Sequence, residues 1–182
     1  MADELVDILD ENGNKTGVSK TKTEAHAKGL WHQVSHVWIY NSEEEILIQK
    51  RSMQKESWPG LWDISAAGHL AAGETPIDGA LREMLEEIGI KAIPEEIKQI
   101  MMRKYSGHPT PNYYSNEFCY IYIYKTDKMP TKLQKEEVEA VKFIPIAEFE
   151  EELKDPMTMN NFVPHDYVFE LIEIIKNSLQ DE

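Results

Sequence analysis

A cluster of glutamates in the middle of the chain has the residue types and spacing of a divalent-metal site. Glu83, Glu86 and Glu87 lie in one stretch of five residues, with Arg82 directly before them. An acidic helix face is most often ordinary solvated surface. Here, however, Glu83 and Glu87 are like charges four residues apart, which destabilises an isolated helix by roughly 0.2–0.5 kcal/mol. A bound cation would offset this repulsion. Because carboxylate oxygens suit hard cations, the cluster predicts Mg²⁺, with Mn²⁺ as a substitute.

A helix must position these glutamates, and the sequence carries its start and stop signals. Thr75 can cap the helix, Pro76 suits its first position, and Gly89 can end it in a left-handed conformation. With about 100° of rotation per residue, the glutamates fall on one side of this helix. The opposite, apolar side consists of Ala80, Leu81, Met84, Leu85 and Ile88.

The stretch 68–90, GHLAAGETPIDGALREMLEEIGI, fits the pattern G-x5-E-x7-R-E-U-x-E-E-x-G-U, in which U is a bulky apolar residue. This pattern is the Nudix box, and the chain resembles the Nudix hydrolase superfamily. The resemblance implies an α/β fold, the Nudix α/β/α sandwich with a mixed central sheet. It also implies Mg²⁺-dependent hydrolysis of a diphosphate linkage in a nucleoside diphosphate derivative or another organic diphosphate.

The resemblance implies a role for each fixed position of the box. Arg82 is expected to pair with Glu74 or with a metal-binding carboxylate and to orient it. Glu83 is our choice for the general base, although members of the superfamily place the base differently. The expected metal ligands are Gly68, through its carbonyl, Glu83, Glu86, Glu87 and Glu117.

Residues outside the box resemble the branch of the superfamily that includes isopentenyl-diphosphate isomerase. They are His26, Trp31-His32, the run 58–62, Gly68-His69 and Asn116-Glu117. Those isomerases carry a catalytic Cys where this chain has Ala67, and their box is degenerate. Because Ala67 can neither donate nor accept a proton, hydrolysis is favoured over isomerisation. Isomerase activity through another acid, or a non-catalytic ligand sensor, remains as an alternative.

Two further questions stay open at this level. The isomerase resemblance makes a second metal site at His26, His32, His69 and Glu117 conceivable, but one acidic position of that site is Ser115 here. Trp58 and Trp62 could belong to the core, as large aromatic residues usually do, or could form a wall of the substrate pocket.

Composition restricts the partners and the compartment. The 182-residue chain has 33 acidic and 19 basic residues and a formal charge of −14, which argues against nucleic-acid polymers and anionic membranes. The single cysteine, Cys119, rules out an intramolecular disulfide and is expected to be a buried small apolar residue. No apolar run approaches membrane-spanning length, so we expect a soluble cytoplasmic protein with a small-molecule diphosphate as its substrate. The oligomeric state is open, with a homodimer among the options.

The pattern of apolar residues and turn signals predicts one domain. Residues 1–30 are expected to form an N-terminal hairpin, turning at Asn12-Gly13, and then a loop over 19–29 with at most one helical turn; residues 31–182 are expected to form the Nudix hydrolase domain. A Pro-rich loop is expected at 107–112. Further strands are predicted at 31–40, 46–49, 63–67, 97–105, 117–124 and 138–144, and helices at 146–153 and 166–179. Cations in or near the loops that might meet phosphate are Lys50, Arg51, Lys55, Arg103 and Lys104.

Overall fold

The computed structural model describes residues 3–180, which contain nine strands and four α-helices. The strands are β1 (Leu5–Leu9), β2 (Lys15–Thr21), β3 (His32–Tyr40), β4 (Glu45–Arg51), β5 (Trp62–Asp63), β6 (Ala66–His69), β7 (Ile97–Thr110), β8 (Tyr113–Lys125) and β9 (Val138–Pro145). The helices are α1 (Lys22–Lys28), α2 (Pro76–Ile88), α3 (Ile146–Lys154) and α4 (Val168–Gln180). No helix in this part of the chain is both long and apolar enough to cross a membrane.

The central sheet is mixed, as the sequence predicted. Its strands run in the order β5-β4-β3-β8-β7, with β6 also paired to β3 and β9 to β4. β3 and β8 are parallel and in register from His32 opposite Glu117 to Tyr40 opposite Lys125, whereas the other pairs of this sheet are antiparallel. Both central strands are apolar on both faces over most of their length, which suits a sheet covered on two sides.

Helices cover both faces of the sheet, so the α/β/α sandwich is confirmed. On one face α2 buries Ala80, Met84 and Ile88 against the sheet. On the other face α3 and α4 bury a larger cluster that includes Trp38 and Leu171. The two clusters lie on opposite sides of the same strands because alternate side chains of a strand point in opposite directions.

The N-terminal hairpin is confirmed, but the loop predicted over 19–29 is wrong. β1 and β2 pair in a separate two-stranded sheet, and α1 then makes two turns before β3 begins. The Thr21 side chain accepts a hydrogen bond from the Glu24 N–H and caps α1, and Gly29 ends it with a φ of 60°. Ala25 packs against Val6 in the small core of this unit. The segment expected as a loop is therefore a short helix whose buried side includes Ala25.

Two other segments differ from their predictions. The Pro-rich loop expected at 107–112 is mostly extended, because β7 continues to Thr110 and β8 starts at Tyr113. β7 lies at the end of the strand order, where a proline within a strand is tolerated. The single strand expected at 63–67 is split into β5, paired with β4, and β6, paired with β3.

Candidate functional site

The helix α2 and the strand β6 bring the box residues together. The Thr75 hydroxyl accepts from the Asp78 N–H and caps α2, which ends at Gly89 with a φ of 68°. In β6, Gly68 lies opposite Ser35 of β3 and directly against Glu83. A Cβ at Gly68 would overlap the Glu83 carboxylate, so only glycine allows this approach.

Arg82 links the carboxylates of the box. Its Nε and Nη2 donate to the two oxygens of Glu74 at 2.9 Å each. Its Nη1 donates to Glu83 at 2.7 Å and to Glu86 at 3.2 Å, and its Nη2 also donates to the His69 carbonyl oxygen. The hydrogen bond with Glu74 raises the pKa of Arg82, so this side chain is a fixed positive charge. Arg82 therefore holds three box carboxylates and the end of β6 in one arrangement.

Two of the box glutamates are buried, and their charge is poorly compensated. Burial raises the pKa of Glu83 to about 7, although Arg82 opposes this shift. Burial, followed by the charge of Glu83, raises the pKa of Glu87 to about 8. One oxygen of Glu87 accepts from the Ala67 N–H at 3.0 Å and from Gln49 Nε2 at 3.2 Å. Such sites favour either a proton or a metal ion on the carboxylates.

A second group of possible metal ligands lies close by. One ligand atom from each of His26, His32, His69 and Glu117 lies within 4.8 Å of the other three. His32 Nε2 is buried and has no hydrogen-bond partner within residues 3–180, and it lies 3.8 Å from Glu117 Oε1. Burial lowers the pKa of His32 to about 4, which keeps the ring neutral and free to bind a metal. The structure thus groups Glu117 with the histidines rather than with the glutamates of α2.

Backbone carbonyl oxygens orient two of the imidazole rings in this second group. His26 Nδ1 is 2.9 Å from the Tyr114 carbonyl oxygen, and His32 Nδ1 is 2.8 Å from the Leu30 carbonyl oxygen. In each ring Nδ1–H must be the donor, so that Nε2 carries the lone pair. Burial raises the pKa of Glu117 to about 7, opposed by a hydrogen bond from Ser115.

One cavity of about 760 Å³ is lined by the glutamates of α2 and, from the second group, by His69 and Glu117. Of the five cations proposed from the sequence, Arg51, Lys55 and Arg103 line this cavity. The other two point elsewhere: Lys50 pairs with Glu139, and Lys104 bonds the Glu11 carbonyl oxygen. A sixth cation, Lys22 at the start of α1, also lines the cavity. Sequence reasoning missed it because the segment was taken as a loop outside the main domain.

The two tryptophans of the run 58–62 have different roles. Trp62 is half-buried and packs against the larger core cluster, with Lys142 Nζ 4.8 Å from the centre of its ring. Trp58 lines the cavity and has a φ of 52°, a conformation that bulky side chains rarely adopt. Trp62 therefore packs on the core, and Trp58 forms part of the cavity wall.

A polar network that the sequence did not suggest also lines the cavity. Asp63 accepts from Arg51 Nη1 and from His165 Nε2, each at 2.8 Å. Next to it, His36 Nδ1 is 2.7 Å from the hydroxyl of Tyr167. Residues separated by an even number of positions on a strand share a face. The spacing of His32 and His36 on β3 was therefore the one signal in the sequence that their side chains lie on the same side of the sheet. The pairing with the distant residues at 165 and 167 left no local pattern.

The residue paired with His36 bears on the choice between hydrolysis and isomerisation. Ala67 is paired with His36 in β3, and its side chain offers no acid or base. Cys119 lines the cavity but is 3% exposed, and burial raises the pKa of its thiol well above the usual value. The expectation that Cys119 is a buried apolar residue is confirmed.

Comparisons of the sequence and of the fold with known proteins point to the same family. The model of the NUDIX domain matches residues 30–165. The chain is 39% identical to Nudix hydrolase 3 of Arabidopsis thaliana over 99% of its own length, but it spans 24% of that relative. It is 32% identical to an isopentenyl-diphosphate Delta-isomerase of Serratia proteamaculans, covering 70% of this chain and 69% of the isomerase. The crystal structure of DR0079 from Deinococcus radiodurans has a similar fold, with a TM-score of 0.65, 18% identity and coverage of 93% and 98% of the two chains.

Proposed function

Since this chain belongs to the NUDIX family, we propose that it is a Mg²⁺-dependent hydrolase that cleaves a diphosphate linkage in a nucleoside diphosphate derivative or another organic diphosphate. The observation that carries the proposal is the burial of Glu83 against Gly68 and of Glu87 against the Ala67 N–H, where burial raises the pKa of both carboxyls. Oxygen ligands with unbalanced negative charge are the donors that Mg²⁺ or Mn²⁺ prefers.

In this proposal Glu83, Glu86 and Glu87, with the carbonyl of Gly68, hold the divalent ion. When bound, the ion neutralises phosphate oxygens and lowers the pKa of the attacking water. Glu83 is the proposed general base, since its buried carboxylate lies against Gly68 among the residues that would hold the ion. Arg82 and Glu74 position the carboxylates rather than contact the substrate.

The diphosphate itself is expected to lie among the cations that line the cavity. Lys22 reaches it from α1, while Arg51 and Lys55 come from β4 and the segment after it. Lys55 is paired with Glu137 and Arg51 with Asp63, so the bound phosphates would share these cations with the carboxylates. These charges compensate locally for a chain whose formal charge is −14.

We also propose that His26, His32, His69 and Glu117 hold a second divalent ion. The buried, unpartnered His32 Nε2 favours this proposal, because a buried polar atom without a partner is costly unless something binds it. A mixed set of imidazoles and one carboxylate suits Zn²⁺ or Mn²⁺ better than it suits Mg²⁺. Glu117 would therefore serve this second ion rather than the ion on α2.

Two alternatives remain to be separated by experiment. Isopentenyl-diphosphate isomerisation needs a positioned acid and base, and Ala67 supplies neither. A ligand sensor would bind nucleotide without turnover, although the complete set of box carboxylates argues against this role. Incubation with isopentenyl diphosphate distinguishes the first alternative, because hydrolysis of the diphosphate linkage releases inorganic phosphate and isomerisation yields dimethylallyl diphosphate.

The decisive experiment is a metal-dependent screen of diphosphate substrates. The panel contains nucleoside di- and triphosphates, dinucleoside polyphosphates, nucleotide sugars, coenzyme A and isoprenoid diphosphates, each with Mg²⁺, with Mn²⁺ and with EDTA. We expect turnover that requires the metal and that is lost in Glu86→Gln and Glu87→Gln. Either variant keeping the wild-type rate would refute the assignment of the box, and tight binding without turnover would favour the sensor.

A further inference from the structure

Two histidines, His36 and His165, line the cavity away from the histidine–Glu117 group. His36 lies four residues after His32 on β3, a distance of roughly 13 Å along an extended strand. The rings of His36 and His165 are 5.5 Å apart. We propose that this pair recognises a hydrogen-bonding group on the organic part of the substrate, so that polar diphosphates are preferred over hydrocarbon diphosphates. The inference rests on the proposed function and specifies its substrate class.

The hydrogen bonds around His165 leave one ring nitrogen for a ligand. Burial alone would raise the pKa of Asp63, but the hydrogen bond from His165 and the charges of His165 and Arg51 hold it well below its usual range. Asp63 is therefore ionised and can only accept, so His165 Nε2–H is the donor to it. Arg51 fixes the other oxygen of Asp63 at 2.8 Å. His165 Nδ1 makes no hydrogen bond within residues 3–180 and is therefore left for a ligand.

The hydrogen bonds around His36 leave its Nε2–H as a donor. Trp38 Nε1 can only donate, and it lies 3.3 Å from the hydroxyl oxygen of Tyr167. Tyr167 therefore donates its own proton to His36 Nδ1, at 2.7 Å. Burial lowers the pKa of His36 to about 3, so its ring is neutral and Nε2 carries the remaining proton. His36 thus offers a donor next to the unoccupied Nδ1 of His165.

Two neighbouring ring nitrogens that can form hydrogen bonds match an amide, the edge of a nucleobase or a pair of hydroxyls. Both groups are held by buried partners, Asp63 on one side and Tyr167 on the other, each of which is less than a tenth exposed. A hydrocarbon chain in the same place would leave both nitrogens without partners. Sites built to bond a polar group discriminate strongly against the analogue that lacks it.

The test uses substrates that differ only at this end. We would measure kcat/KM for a series of alkyl diphosphates and for their ω-carboxamide counterparts of the same chain length, and the affinity of the matching methylene-bridged analogues by calorimetry. The wild-type protein is expected to favour the carboxamide by about tenfold or more at the best length. This ratio should fall towards one in His36→Phe and in His165→Phe. Because the ratio is taken within one preparation, a partly unfolded variant does not distort it.

The matched control is His108→Phe, a histidine that stacks on Tyr114 and lies outside the cavity-lining residues. It should keep the wild-type ratio. Equal use of both series by the wild-type protein, or a ratio unchanged in both cavity variants, would overturn the inference while leaving hydrolysis intact. Absence of turnover with every metal would instead overturn the proposed function. The calorimetric ratio would then decide the inference separately.

Discussion

Arg82 and Glu74 are joined by two parallel hydrogen bonds of 2.9 Å, while the third nitrogen of the same guanidinium reaches Glu83. The pair connects the loop before α2 with the acidic side of α2. A planar guanidinium can make these bonds at the same time, whereas an ammonium group cannot. The position of Glu83 is therefore tied to the shape of Arg82 as well as to its charge.

We expect Arg82→Lys to reduce both metal affinity and turnover on the order of 10- to 100-fold, which is typical when a partner that orients a metal ligand is lost. The measurements are kcat and the concentration of Mg²⁺ that gives half-maximal activity. Glu74→Gln should have a similar effect, and the double variant should be little worse than either single one. Losses that add fully would show that the two residues act independently.

Gly68→Ala should separate activity from stability. The added Cβ would overlap the Glu83 carboxylate, so the side chain must move. Since misplacing a catalytic group by about 1 Å can cost on the order of 100-fold in rate, we expect a loss of that size in kcat. The control is Gly17→Ala, which has open space around it but a φ of 79°. That variant should lower the unfolding temperature and keep the wild-type kcat; a Gly68→Ala enzyme of normal kcat would contradict the proposed position of Glu83.

The buried glutamates predict an unusual pH dependence for the metal-free protein. Folding raises the pKa of Glu87 from 4.5 to about 8, so between these values the folded chain binds protons that the unfolded chain has released. The free energy of unfolding should therefore fall as the pH rises through this window. Urea unfolding in EDTA measures this slope, and added Mg²⁺ should reduce it.

The same experiment assigns the slope to a residue. Glu87→Gln should flatten it and stabilise the metal-free protein at the alkaline end by on the order of 1–3 kcal/mol, because a buried charge is replaced by a neutral group. The matched control is Glu86→Gln, whose side chain is 50% exposed in the wild-type protein and should have little effect on stability. An unchanged slope in Glu87→Gln would show that another group is responsible.

The sequence could predict α2 and its carboxylates because every signal there is local. The cap at Thr75, the apolar spacing and Gly89 lie within one helix length, and a helix places such residues on known faces. The structure also has the hairpin that the turn signal indicated and the mixed sheet that the family resemblance implied.

The rest of the site could not be predicted from local patterns because it depends on long-range pairing, and the histidine–Glu117 group was suggested only by the isomerase resemblance. The parallel register that sets His32 beside Glu117 and the contact of Asp63 with His165 join residues that are far apart in sequence. The short helix α1 was missed because seven residues give too little periodicity to distinguish a helix from a loop. In one sequence, none of these contacts leaves a spacing that can be recognised.

Lys22, which sequence reasoning missed, gives the last prediction. It begins α1, lines the cavity, and its charge acts on His26, His69 and Glu117. If the diphosphate lies among these groups, Lys22→Ala removes a charge-assisted hydrogen bond and should raise KM on the order of tenfold, with a smaller change in kcat. Because Coulomb attraction is screened by ions, the difference from wild type should shrink at high salt.

The control for Lys22 comes from the same helix. Lys28 pairs with Glu24 on the exposed side of α1, and its side chain is 61% exposed. Lys28→Ala should leave KM unchanged at every salt concentration, although it removes the same charge from the same helix. An equal rise of KM in both variants would mean that the net charge of the chain, and not the position of Lys22 in the cavity, controls the approach of the substrate.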